Sequence, residues 1–168
     1  MQVIKQKTME CNTAEELLEL CKKENKPISS VMRLREVVYG NLDVNAVDER
    51  MKKSLEIMRN SVHEPLDKVL RSMGGMIGGE ASKLEKRRKE GKSICGNVLT
   101  KALIYSQAVL EVNASMGVIV AAPTAGSAGV VPAVLFALEE EFNLSDETVL
   151  NGLFTAGAVG CLLMKNAS

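Results

Sequence analysis

The chain of 168 residues is 46% hydrophobic, enough to fill the core of one domain, and its 21 basic residues are balanced by 21 acidic ones. With zero net charge, 3% aromatic residues and no tryptophan, it lacks both the field and the stacking platforms that binding nucleic acid calls for. Four scattered cysteines, Cys11, Cys21, Cys95 and Cys161, form no CxxC pair, which argues against a zinc ribbon or a disulfide framework and suits a reducing cytoplasm.

The first residues, Met1 to Lys7, have no apolar run of the kind a signal peptide carries. Thr13 followed by Glu16 reads as a capping box, opening a helix with Leu17, Leu18, Leu20 and Cys21 on its apolar side and a stop at Asn25 and Pro27. A second helix is predicted from Ser29 or Ser30, with Val31, Leu34, Val37 and Val38 inward, breaking at Gly40-Asn41. A third, capped by Asn45, aligns Val47, Met51, Leu55, Met58 and Val62 in one stripe, the methionines serving as packing.

His63, the only histidine, falls near a helix junction beside Pro65 and reads as a surface or capping residue, since no nucleophile motif lies near it in sequence. Ser72 to Glu80 carries four glycines among apolar residues and is a candidate hinge or binding loop. The charged run from Lys83 to Lys92 reads as a solvated helical face ending at Gly91. Leu99, Ala102, Leu103, Ser106, Val109 and Leu110 then mark a helix with small residues suited to close packing.

Val118 to Ala122 is read as a helix end or an extended connector, because a lone strand would have no partner. It leads into Pro123-Thr124-Ala125-Gly126-Ser127-Ala128-Gly129, where glycines permit tight turning and close backbone approach and Pro132 suits a first helical turn. A loop opening onto a helix in this way offers free backbone N–H groups to an anion such as a carboxylate. The same residue types also build any turn between helices, so both readings stand on composition. No Gly-Lys-Ser/Thr closes this loop and no third glycine completes a dinucleotide pattern in it, which disfavours a nucleotide. A last helix is predicted from Asn143 or Ser145. Its uncharged stretch, Thr148 to Met164, is shorter than the ~20 residues of a usual membrane span and reads as a buried helix, with no membrane partner. The chain is predicted to be all-α, a single helical domain with glycine-rich loops.

Three segments, Glu111-Val112-Asn113-Ala114-Ser115-Met116-Gly117, the Pro123 to Gly129 loop and Lys165-Asn166-Ala167-Ser168, together resemble the alpha subunit of iron-sulfur-dependent L-serine dehydratase. Gly78-Gly79-Glu80-Ala81-Ser82-Lys83-Leu84 and Gly91-Lys92-Ser93 extend the resemblance upstream, so that it covers essentially the whole chain. It implies an all-helical catalytic domain over residues 1–168, truncated at its C-terminal end. It further implies conversion of L-serine to pyruvate and ammonia in amino-acid degradation, with a four-iron-four-sulfur cluster as Lewis acid.

On this resemblance Thr124, Gly126, Ser127 and Gly129, with Asn113, Ser115, Asn166 and Ser168, are the candidate substrate-binding residues, and no catalytic base is identified. Ala128 stands where some members have a cluster-ligating cysteine, and the family's later cysteine motifs lie past Ser168. No metal ligand is therefore assigned in this chain. The implied partners are L-serine, a beta subunit or the remainder of the alpha subunit, and further copies in an oligomer. By itself the chain is expected to be inactive. Two other classes are kept open: a non-catalytic helical binding or assembly module, and a lyase or deaminase for another small amino acid.

Overall fold

The computed structural model describes residues 11–166, and within them every regular element is a helix, in agreement with the all-α expectation. The helices are α1 (Ala14–Glu24), α2 (Ile28–Gly40), α3 (Val44–Asp67), α4 (Glu80–Lys89), α5 (Asn97–Ala114), α6 (Val130–Phe142) and α7 (Asp146–Asn166). They fall into two compact units, one built from the residues up to Lys53 with those from Leu150 onward, the other from Ser54–Val149.

In the first unit, α1 starts as its sequence requires. The Glu16 N–H donates to Thr13 Oγ1 at 3.2 Å and the Glu16 carboxylate accepts the Thr13 N–H at 3.4 Å, which satisfies two of the amides that a helix start leaves open. Leu17 and Leu20 are buried, whereas Leu18, expected on the same face, is half exposed. Helix α2 begins at Ile28, just ahead of the expected serines, and buries Val31 and Met32. Both α1 and α2 end on an asparagine in the left-handed region, Asn25 (φ 49°) and Asn41 (φ 48°), a backbone state that asparagine tolerates better than most residues.

The cap of α3 is Asp43, not Asn45: its carboxylate accepts the Ala46 N–H at 2.8 Å, and Asn45 is already inside the helix. Deeper in this unit the Arg33 guanidinium donates to Asp48 at 2.7 Å and to Asn151 at 2.6 Å while stacking 4.3 Å from the Phe154 ring. Helix α7 reaches 21 residues, more than the uncharged stretch suggested, and by length and composition alone it could cross a membrane. The expectation of a buried helix holds only in part: Leu150, Leu153, Phe154 and Ala158 are buried, with the Arg33 guanidinium stacked on Phe154, whereas Val159, Leu163 and Met164 are exposed, because among the described residues nothing packs over that side.

The second unit is organised around α5. Ile104, Ala108, Val109 and Val112 on this helix are buried, as are Ala133, Phe136 and Ala137 on α6, and small side chains on both let the two helices pack closely. Helix α4 packs on α5 and carries the charged run, with Glu85 and Arg88 paired at 2.8 Å. Pro65 lies within α3, which runs on to Asp67, so His63 sits inside a helix and not at a junction.

Candidate functional site

The C-terminal turn of α5 and the loop before α6 form the candidate site. Residues 117–121 are neither helix nor strand, so the expected stretch Val118 to Ala122 is a connector and not a helix end, and it leads into a cis Ala122–Pro123 peptide and then the loop. Thr124 and Ser127 are bound to each other: their hydroxyls lie 3.0 Å apart, Ser127 Oγ accepts the Thr124 N–H at 3.3 Å, and Thr124 Oγ1 accepts the Ser127 N–H at 3.2 Å. Ser127 Oγ also reaches the Ala122 carbonyl at 3.2 Å. The two hydroxyls thus hold the shape of the loop. Asn113 joins it from α5, donating from Nδ2 to the Ala125 carbonyl at 3.3 Å.

With the side chains so engaged, the loop's open valences are on its backbone. The Ala128 N–H donates to Ala125 and the Val130 N–H to Ser127, but among the described residues the amides of Ala125, Gly126, Gly129 and Val131 have no acceptor. Pro132 and the Ala133–Gly129 bond account for the rest of the first turn of α6, leaving Val131 as its one open amide. A cavity of about 100 Å³ opens here, lined by Ala125, Gly126, Ser127, Gly129 and Val130 on one side and by Ser106, Gln107, Val109 and Leu110 of α5 on the other.

The two loop glycines have different reasons. A Cβ on Gly129 would stand 2.8 Å from the Ser106 carbonyl oxygen and 3.1 Å from its hydroxyl, so the close passage of the loop over α5 excludes a side chain there. Gly126 has no left-handed backbone, and a Cβ would find only Thr124 Oγ1 at 3.9 Å, so the fold itself does not require glycine at this position.

Ser115 is two residues from Asn113 but faces elsewhere. Its hydroxyl donates to the Val112 carbonyl at 3.0 Å, and it lines a larger open cleft of about 590 Å³ with Glu64, Lys68, Arg71, Val112 and Gly117. Asn166 belongs to the first unit, where its amide donates to the Asn12 and Leu162 carbonyls at 2.8 Å. Ser168 lies outside the described residues. Of the eight candidate residues, the structure therefore gathers Asn113, Thr124, Gly126, Ser127 and Gly129 in one place and holds Ser115 at a neighbouring cleft.

Three residues at or near the site were given no site role by the sequence, where Ser106 read as helix packing and Glu111 only as part of a resembling segment. Ser106 and Gln107 are the only adjacent polar pair in the apolar middle of α5, which was the available signal. Glu111 is fully buried, and its carboxylate accepts the Gly79 N–H at 2.9 Å and the Ala81 N–H at 2.7 Å, capping α4 from α5. The candidate hinge is thereby tied down, and Gly78 beside it is obligatory, since a Cβ there would stand 1.9 Å from the Leu70 carbonyl oxygen. His63 is not at the loop: its ring meets Tyr105 edge-on at 5.4 Å, and Nε2 is 3.8 Å from Glu140.

The family description "Serine dehydratase alpha chain" matches residues 3–168, and the chain belongs to that family. It is 40% identical to the Bacillus subtilis (strain 168) protein named "Probable L-serine dehydratase, alpha chain", over 91% of this chain and 51% of that one. It is 33% identical to the "L-serine dehydratase, alpha chain" of Peptoniphilus asaccharolyticus, over 94% and 54%. A Helicobacter pylori (strain J99) "L-serine dehydratase" is 35% identical over 94% of this chain and 35% of its own length. The chain thus spans about half the length of the alpha chains it matches.

Proposed function

We propose that the chain is part of an L-serine dehydratase, converting L-serine to pyruvate and ammonia in the cytoplasm, and that the loop from Pro123 to Gly129 receives the carboxylate of the substrate. The observation that carries the site is the group of open amides at Ala125, Gly126, Gly129 and Val131, next to a cavity sized for a few non-hydrogen atoms. Preset N–H donors are what a carboxylate needs, and they lose no reorganisation energy on binding. Asn113 supports the loop at the Ala125 carbonyl, and the Thr124–Ser127 pair keeps its amides turned out of internal bonds.

Elimination of water from serine also needs a base for the α-proton and an acid for the departing hydroxyl. The family implies a four-iron-four-sulfur cluster as that acid, and the described residues do not fit one. Of the four cysteines, Cys11, Cys21 and Cys161 belong to the first unit and Cys95 to the second. No three of the described His, Cys, Asp or Glu side chains gather where a metal could sit. No step through the cluster is assigned to this chain; a beta subunit or the remainder of an alpha subunit is the partner that would bring it. Four scattered cysteines with no CxxC pair among them suit a reducing compartment.

Titrating L-serine into the isotopically labelled chain tests the site. Saturable shifts are expected at the Gly126, Gly129 and Val131 amides, with no pyruvate formed by the chain alone. Shifts confined to other parts of the chain would remove the loop from the substrate site.

A further inference from the structure

The larger cleft, of about 590 Å³, lies wholly within the second unit, between the residues that follow α3 and the C-terminal turn of α5. Its volume falls in the ~300–1,000 Å³ range of small-molecule pockets. Two cations, Lys68 and Arg71, and one carboxylate, Glu64, line it, and among the described residues none of these side chains has a hydrogen-bond or ion-pair partner. Glu64 and Lys68 stand at the spacing that pairs such residues on a helix, but α3 ends at Asp67 and their side chains do not bond. Val69, Leu70 and Val112 make the wall apolar elsewhere. The Ser115 hydroxyl has given its hydrogen to the Val112 carbonyl, so it offers an acceptor alone.

The glycine-rich segment from Ser72 to Glu80 holds this wall in place. Ser72 and Ile77 close its base, the Ser72 N–H donating to the Ile77 carbonyl at 2.8 Å and the Ile77 N–H to Ser72 Oγ at 3.1 Å. Gly78 passes so near the Leu70 carbonyl that no side chain fits between them, and Glu111 holds Gly79 to α5. On the opposite side, a Cβ on Gly117 would stand 2.6 Å from Val112 Cγ1, so the connector is seated tightly on α5. Val69, Leu70 and Arg71 are thus fixed between α3 and the closed base of the segment, and a ligand would meet a preformed surface.

We infer that this cleft is a ligand site for a small organic monoanion with an apolar body, its charge taken by Lys68 and Arg71 and its body laid against Val69, Leu70 and Val112. Charge sets the class. The two cations outnumber Glu64, so the cleft is net positive and favours an anion. Glu64 lines the same space and opposes a second negative group on the ligand, which separates a monoanion from a dianion. A bare inorganic anion would leave Val69, which is 58% exposed, in water, whereas an organic body covers it. The two cavities share no lining residue, so the inference stands or falls apart from the carboxylate reading of the loop.

Hexanoate, hexanol and hexylammonium carry the same apolar body and differ in charge, and each is titrated into the isotopically labelled chain at neutral pH. Saturable shifts are expected at the Leu70, Arg71 and Gly117 amides, with hexanoate at least about fivefold tighter than hexanol and hexylammonium no tighter than hexanol. Adipate, with a carboxylate at each end, should bind more weakly than hexanoate, and salt at ~1 M should erase the preference for hexanoate over hexanol. Lys68→Gln combined with Arg71→Gln should bring hexanoate down to the level of hexanol and leave hexanol unchanged. Glu64→Gln should tighten hexanoate about twofold. All three positions are exposed, and melting curves matching the parent check that the variants fold. Equal binding of hexanoate and hexanol, or a preference that survives the double substitution, overturns the inference. Hexanoate shifts centred on Gly126 and Gly129, or no saturable shift at the cleft, overturn it too.

Discussion

Gly126 and Gly129 look alike in the sequence and should part in experiment. Gly129→Ala forces a methyl group to 2.8 Å from a backbone oxygen of α5, and we expect it to destabilise the chain by about 1–3 kcal/mol in urea unfolding. Gly126→Ala meets nothing closer than 3.9 Å and should stay within about 0.5 kcal/mol of the parent. A large loss of stability in Gly126→Ala would mean the loop is packed differently. The distinction is invisible in the sequence because it depends on how near a separate helix passes. Glu111 was hidden for the same reason. Its carboxylate is repaid by amides 30 and 32 residues away, so nothing local marks it as buried. Thr13 and Glu16, by contrast, bond to each other within one turn, and their spacing alone announced the cap.

Helices α5 and α6 are pinned by Tyr105, whose hydroxyl donates to Glu140 at 2.6 Å, while Lys101 bonds the other carboxylate oxygen at 2.9 Å. Burial, reinforced by the hydrogen bond to Glu140 and its charge, pushes the Tyr105 phenol well above its ordinary value of 10.0. Burial opposes ionisation of Glu140 too, but the bonds from Tyr105 and Lys101 outweigh it and hold that carboxyl below the usual range. For a group with a raised folded pKa, the stabilisation is complete below the unfolded value and fades as pH rises beyond it. Stability should therefore fall above about pH 10, and Tyr105→Phe should flatten that fall; denaturant midpoints measured from pH 8 to 11 check it. The helices themselves were legible from 3.6-residue periodicity and turn residues, including the connector before the loop. Their ends were less so. Asp43 and Asn45 are both good caps, and the choice between them turned on which carbonyl and amide the chain brought into reach.

The chain as a whole exposes more apolar surface than its helices need. Leu99, Leu103 and Leu110 on α5 and Val130 and Val134 on α6 are each about half exposed, and Leu110 and Val130 line the candidate cavity. Exposed apolar side chains that join into a patch mark interaction surfaces or aggregation hazards. We expect the chain alone to self-associate at micromolar concentration and to bind a hydrophobic dye, with Leu103→Lys reducing both in sedimentation and fluorescence measurements. A strictly monomeric, dye-silent chain would show these side chains to be isolated from one another. Periodicity could place these residues on helices but could not say which apolar faces stay open, since that is decided by what packs against them.

Just past α5, Met116 adopts φ 63° with its side chain largely in solvent, and the Gly117 N–H behind it closes the helix on the Val112 carbonyl at 2.8 Å. A left-handed backbone costs an ordinary residue roughly 1–2 kcal/mol, of which glycine would return all but its own flexibility, about 0.5–1 kcal/mol. Met116→Gly should therefore stabilise the chain by roughly 0.5–1 kcal/mol and raise its melting temperature by about 2 °C. This one position is a ready point of thermal improvement. It touches none of the bonds that hold Asn113 to the loop, so a hardier variant with the binding behaviour of the parent is within reach of a single codon change.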